Sequence, residues 1–161
     1  MAKSVARDNP LTEITFRKYE KPYNLSRRDA VKKLCLSLGL LQPGDSRDVI
    51  VDVFFVLLEA KKNRKELTSE DIKTNVIQLR KEEKHALLGI AASNIRRQIK
   101  RLREMHFIEK IRTRYRIAES SSLANIFEDK IERFVLPSTI DRVKEYLREV
   151  DGKFSQPKEE Q

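Results

Sequence analysis

The chain has 161 residues, 39% of them apolar and 37% charged, with a formal charge of +9. That length suits one domain with an appended helical piece, and the composition suits a compact core under a densely charged surface. The longest apolar run, VIVDVFFVLLEA, is interrupted by Asp52 and falls short of a bilayer span, so no membrane role is expected.

The chain does not open on a charged-then-apolar leader, which points to a cytoplasmic protein. The single cysteine, Cys35, excludes an internal disulfide and reads as a buried structural thiol in an apolar helical pattern. The basic balance favours a polyanionic partner, nucleic acid or an anionic surface.

Residues 1–25 are polar and mixed, with Pro10 and Pro22, and read as an irregular basic arm carrying Arg17, Lys18 and Lys21. Ser26 is a good N-cap, and Ala30, Val31, Leu34, Cys35 and Leu38 recur at helical spacing, giving an N-terminal helix in 26–42. Pro43–Gly44 sets a turn. Ser46 is expected to cap the next helix, in which Val49, Val53, Val56, Leu57 and Ala60 make a broad apolar face. After the charged connector KKNRKE, Thr68 and Asp71 stand at capping-box spacing and start a third helix with Ile72, Val76, Ile77 and Leu79 inward. Gly89 punctuates the turn to a fourth helix over 91–105. Two short strands follow at 108–117, and Ser120–Ser122 stop them.

Two further helices occupy 122–151. The first carries Leu123, Phe127, Ile131 and Phe134 on one face and is ended by Pro137. Ser138 and Asp141 form a second capping box, and Ile140, Val143, Leu147 and Val150 follow at 3-4-3 spacing. That seam has two readings: a stripe that forms a homodimer, or a face packed back on the chain's own helix at Ser26–Leu38; a homodimer would draw on either the N-terminal or the C-terminal helices. Residues 152–161 read as a disordered polar tail. The fold class is therefore mainly α (α+β), helices around one small hairpin.

The stretch SNIRRQIKRLREMHFIEKIRTRYRIAE concentrates the charge: from Ser93 to Arg116 there are nine Lys or Arg against two acids. At about 100° per residue, Ile95, Ile99 and Leu102 form one narrow stripe that must face the core, which aims Arg97, Lys100 and Arg101 outward with Ser93 beside them. Asn94 and Arg96 flank the stripe. Arginine and asparagine bond guanine and adenine edges bidentately, and the major groove admits a helix. In the hairpin, Tyr115 and Ile117 inward would send Arg114 and Arg116 outward, with Lys110 on the first strand and Arg112 at the turn. The alternative is an ordinary solvated surface. Elsewhere the chain mixes its signs freely, and only this stretch departs so far from balance.

These residues resemble the recognition helix and wing of a winged helix–turn–helix domain, as in regulators of the MarR, ArsR and Lrp-like groups. LTSEDIKTNVIQL resembles the preceding helix and SRDVIVDVFFVLLEA the first, so the likeness covers about 46–118. It implies a winged helix–turn–helix with a two-stranded wing, flanked by N-terminal and C-terminal helices. It further implies a sequence-specific regulator of transcription that binds double-stranded DNA. Helix 91–105 would enter the major groove, and wing 108–117 would touch the backbone or minor groove. The implied contacts are Ser93, Asn94, Arg96, Arg97, Lys100, Arg101, Lys110, Arg112, Arg114 and Arg116. Such domains usually end the recognition helix with glycine, whereas this chain has His106, one of the residues more tolerant of a left-handed backbone.

Chemistry of other kinds is missing from the sequence. Two histidines and one cysteine form no metal-ligand spacing, no phosphate-cradling glycine loop occurs, and no carboxylate pair suits acid–base work. No enzyme, cofactor or metal is expected. Two other functions remain open: a winged-helix platform for protein contacts in transcription initiation or chromosome maintenance, with the transcription machinery as partner, and RNA binding. RNA readers usually display aromatics for base stacking, which this face lacks.

Overall fold

The computed structural model describes residues 8–157; the first seven residues of the arm and the last four of the tail lie outside them. The described chain is mainly helical with one two-stranded antiparallel sheet. Residues 8–25 contain no helix or strand, and their backbone is tied down at Arg17, whose N–H donates to the Ser37 carbonyl.

Helix α1 (Arg27–Ser37) starts where Ser26 Oγ accepts the Asp29 N–H and stops at Gly39, with φ +71. Helix α2 (Val49–Lys62) is the centre of the core: Val51, Val53, Phe54 and Leu57 have no exposed surface. Its start differs from the sequence expectation. The cap position is Asp48 rather than Ser46, and its carboxylate bonds Arg28 and Arg80 instead of the helix backbone. Helix α3 (Ser69–Glu82) opens with the expected capping box, Thr68 and Asp71 exchanging bonds of 3.0 and 3.1 Å. Helix α4 (Ala92–Glu104) buries Ile95, Ile99 and Leu102.

Strands β1 (Ile108–Ile111) and β2 (Arg114–Ile117) pair in register through Ile108–Ile117 and Ile111–Arg114, with a two-residue turn at Arg112–Thr113. Leu67, between α2 and α3, adds one bridge to β2 through two backbone bonds with Tyr115, of 3.0 and 2.7 Å. The hairpin is thus pinned to the linker that precedes α3. Phe107 and Ile117 close the core from this side, with the Phe107 ring 5.8 Å from that of Phe54.

An ionic cluster lies inside the helical packing. Asp52 on α2 is fully buried and receives Arg28 of α1 at 3.1 Å and Arg80 of α3 at 2.5 Å, while Asp48 also binds both arginines. Two guanidinium groups and two carboxylates balance, which is the condition under which buried charge is tolerated. Arg80 further donates to the Ala86 carbonyl at 2.7 Å, so one side chain joins α2, α3 and the loop before α4. Burial alone raises the Asp48 carboxyl. The hydrogen bonds and charges of Arg28, then Arg80, outweigh it and hold the group below the usual carboxylate value.

The C-terminal region departs most from the sequence reading. Pro137 does not end a helix: α5 (Leu123–Ile126), a π-helical segment (Phe127–Val135) and α6 (Leu136–Lys153) follow without a break, with helical φ and ψ at each join. In the wider π register the N–H of Leu136 bonds the Ile131 carbonyl, five residues back. Pro137 then falls at the junction of the π segment with α6, one residue after a five-back bond rather than inside a run of four-back bonds. The Ser138–Asp141 capping box does not form; Thr139 Oγ1 donates instead to the Val135 carbonyl at 2.7 Å. Ile126 and Ile131 anchor the run on the body, but no residue of α6 is buried. Ile140, Val143, Leu147 and Val150 stay 43–59% exposed, so the seam does not pack back on α1.

Candidate nucleic-acid interface

Helix α4 is held by its three buried side chains and by its C-terminal turn. Phe107 N–H bonds the Leu102 carbonyl and His106 N–H the Arg103 carbonyl, with His106 at φ +67. This is the six-to-one, five-to-two closure that glycine usually makes. The helix phase is therefore fixed, and the position of every cation on it follows.

Seven of the ten expected contacts lie on exposed surface. Ser93, Arg96, Arg97 and Lys100 are exposed on α4, and Lys110, Arg112 and Arg114 on the hairpin. Among the described residues Arg96, Arg97 and Arg112 have no ion-pair or hydrogen-bond partner, and Lys100 has only Glu104 at 3.9 Å, both well solvated. Such exposed pairs hold weakly. Lys110 stands over the Tyr115 ring, 5.7 Å from its centroid, and Arg114 Nη1 lies 3.5 Å from the Glu66 carbonyl oxygen. Arg112 takes φ +58 at the turn and so carries a cation to the tip of the hairpin.

The other three have internal employment. Arg101 is half-buried rather than outward: it donates at 2.6 Å to the Leu40 carbonyl and at 2.9 Å to Gln98 Oε1, clamping α4 to the turn after α1. Asn94 donates at 2.7 Å to the Gly89 carbonyl and accepts from Gln98, which fastens the helix start to the loop before it. Arg116 is held between Glu109, at 2.6 Å, and Glu66, at 3.6 Å. In an antiparallel pair with this register Glu109 stands directly opposite Arg116, an attractive cross-strand contact.

One further cation joins the exposed row, although helical phase alone does not place it on the far side of the stripe. Arg103 is exposed and unpartnered among the described residues, and it continues Arg96 and Lys100 at i, i+4, i+7. The α4 surface thus splits into two flanks. Arg96, Lys100 and Arg103 point to solvent, with Arg97 between; Asn94 and Arg101 bond to the body and are joined to each other through Gln98. A cleft on the second flank brings Arg47 near Arg97 and Arg101, and another, beside the hairpin, is lined by Arg64, Lys65 and Arg114 together with the carboxylates Glu66 and Asp71. These loop cations carry no sequence signal, because only the fold brings them to the helix and hairpin.

Among the described residues there is no group of three or more His, Cys, Asp or Glu placed to hold a metal ion, and no helix long and apolar enough to cross a membrane. The Cys35 thiol is buried, which pushes its pKa up to about 12. No known protein family, characterised protein or solved structure matches the chain.

Proposed function

We propose that the chain is a winged helix–turn–helix protein that binds double-stranded DNA and regulates transcription. In this reading α4 is the recognition helix and β1–β2 the wing. The order helix, bridging residue, helix, helix, hairpin supports that reading, with Leu67, between α2 and α3, bridged to β2. The observation that carries it is the row Arg96, Arg97, Lys100 and Arg103, exposed on the helix whose Ile95, Ile99 and Leu102 are buried. A row of cations with little or no internal employment on a rigid helix suits phosphates and guanine edges, and the groove admits that helix. Arg112 and Lys110 extend the same charge onto the hairpin, where a backbone contact is the natural role. Asn94 and Arg101 position the helix instead of reading bases.

The test is a titration of duplex DNA at rising salt, with Arg96→Ala/Arg97→Ala beside the unaltered chain. The affinity should fall steeply with salt, and the variant should bind about tenfold to hundredfold more weakly. A variant that binds its best duplex as tightly as the original removes the groove assignment. Equal affinity for every duplex removes the sequence-specific part.

A further inference from the structure

Helix α6 spans about 27 Å, and none of its residues is buried. It extends the anchored run of Ile126 and Ile131 into solvent, and the internal pairs Arg142–Glu145 and Glu149–Lys153 are solvated and weak. Along one side the apolar residues keep a 4-3-4-3-4 spacing: Leu136, Ile140, Val143, Leu147, Val150 and Phe154. The last five are 43%, 54%, 59%, 54% and 84% exposed. This is the pattern of a two-helix seam with one helix missing.

We propose that the missing helix is α6 of a second copy of this chain, laid antiparallel across a two-fold axis. Covering all five exposed residues completely removes about 600 Å² per copy, or about 1,200 Å² in all, the lower edge of what a specific interface buries. Two features set the direction: antiparallel packing sets opposite helix ends side by side and keeps the two folded bodies, each joined at the start of α6, at opposite ends of the seam.

Register follows from magnitudes. The longest overlap sets Ile140 against Val150, Val143 against Leu147, and Phe154 against the half-buried Leu136 of the second copy. It brings Lys144 near its own counterpart beside the axis. A slide of one heptad would match Lys144 with Asp151, neither of which has a partner among the described residues. That slide gains two solvated ion pairs and uncovers Ile140 in both copies. Burying two isoleucines stabilises more than two solvated ion pairs do, so the long overlap wins and Lys144 is left as a repulsive contact.

Dimerisation through α6 does not depend on the DNA reading and is tested without nucleic acid, by sedimentation equilibrium of the full chain. The chain should sediment as a dimer. Leu147→Glu should weaken association at least about a hundredfold by placing a charge in the seam, while the thermal transition of the body stays in place because α6 buries nothing. Lys144→Ala should tighten it about threefold to tenfold by removing the like-charge contact. A monomeric original chain, whatever else then occupies the stripe, overturns the proposal, and so does a dimer indifferent to Leu147→Glu. Weaker association in Lys144→Ala, or none of the tightening, overturns the antiparallel long overlap.

Discussion

Thr15 occupies the space that a side chain at Gly39 would need: a Cβ at position 39 would stand 2.6 Å from the Thr15 Cβ. Gly39 also holds φ +71. The same left-handed turn ends α2, α3 and α4 at Arg64, Lys84 and His106, with φ of 54, 55 and 67 and no glycine. The turn alone therefore does not demand glycine; the basic arm crossing it does. Gly39→Ala is expected to cost about 2–4 kcal/mol, from the left-handed backbone and the overpacking together. A fall in the urea midpoint, with faster proteolysis of the arm, checks it.

At His106 the opposite change should help. A side chain at left-handed φ costs about 1–2 kcal/mol, part of which glycine returns through a more flexible unfolded chain. His106→Gly should therefore stabilise the fold by about 0.5–1 kcal/mol. The check is urea unfolding at constant slope; a lower midpoint would mean that the imidazole makes a contact that outweighs the backbone strain.

Local rules explain why some of this could be read from the chain alone. The 3.6-residue period is enough to turn Ile95, Ile99 and Leu102 inward, and Thr68 with Asp71 makes a capping box from neighbours three apart. Arg101 obeys no such rule. Its acceptor is the Leu40 carbonyl, 61 residues away, and no periodicity encodes a distant backbone oxygen. Asp52 did leave a trace, a charge inside an apolar run, but its partners Arg28 and Arg80 come from other helices. The Arg116 pair was legible in principle, since a two-residue turn fixes Glu109 opposite it. Pro137 misleads because the helix-stop rule presumes α register, and the chain enters it from a π segment.

The buried cluster should dominate stability to substitution. Asp52→Asn leaves Arg28 and Arg80 sharing one carboxylate and is expected to cost about 3–5 kcal/mol. Asp52→Leu/Arg80→Met keeps the balanced Arg28–Asp48 pair, and its cost should fall short of the sum of the two single changes. The cluster also sets an acid limit. The Asp48 carboxyl titrates below its unfolded value, so its contribution is complete above that value, about 3.9, and is lost as pH falls through the lower folded value. The unfolding free energy should hold from neutrality to about pH 4 and drop below it, with a shallower drop in Asp48→Asn.

Cys35 has no exposed surface, and its thiol pKa, pushed up to about 12, leaves almost no thiolate at neutral pH. An aromatic disulfide reagent should therefore leave the native chain unlabelled and modify one thiol per chain in denaturant. Labelling at native pH at a rate independent of urea would show a local opening of α1 that the packing does not suggest.

The arginines of α4 and the hairpin should fall into two classes, and one experiment separates them. Arg97 and Arg103 have no partner among the described residues, so Arg97→Ala or Arg103→Ala should leave the unfolding midpoint within about 0.5 kcal/mol of the original. Each should weaken duplex binding, and one that meets a phosphate lowers the slope of log affinity on log salt by about 1. A base-edge arginine instead loses about 1–3 kcal/mol at one base position. Arg101→Ala removes two internal bonds, and Arg116→Ala strands Glu109, which also accepts the Glu119 N–H. Both should lose about 1–3 kcal/mol of stability. Their salt slope should stay unchanged, because neither guanidinium is free to displace a counterion. If Arg101→Ala lowers the slope as Arg97→Ala does, then the clamp to Leu40 opens on binding and the division of α4 into two flanks fails.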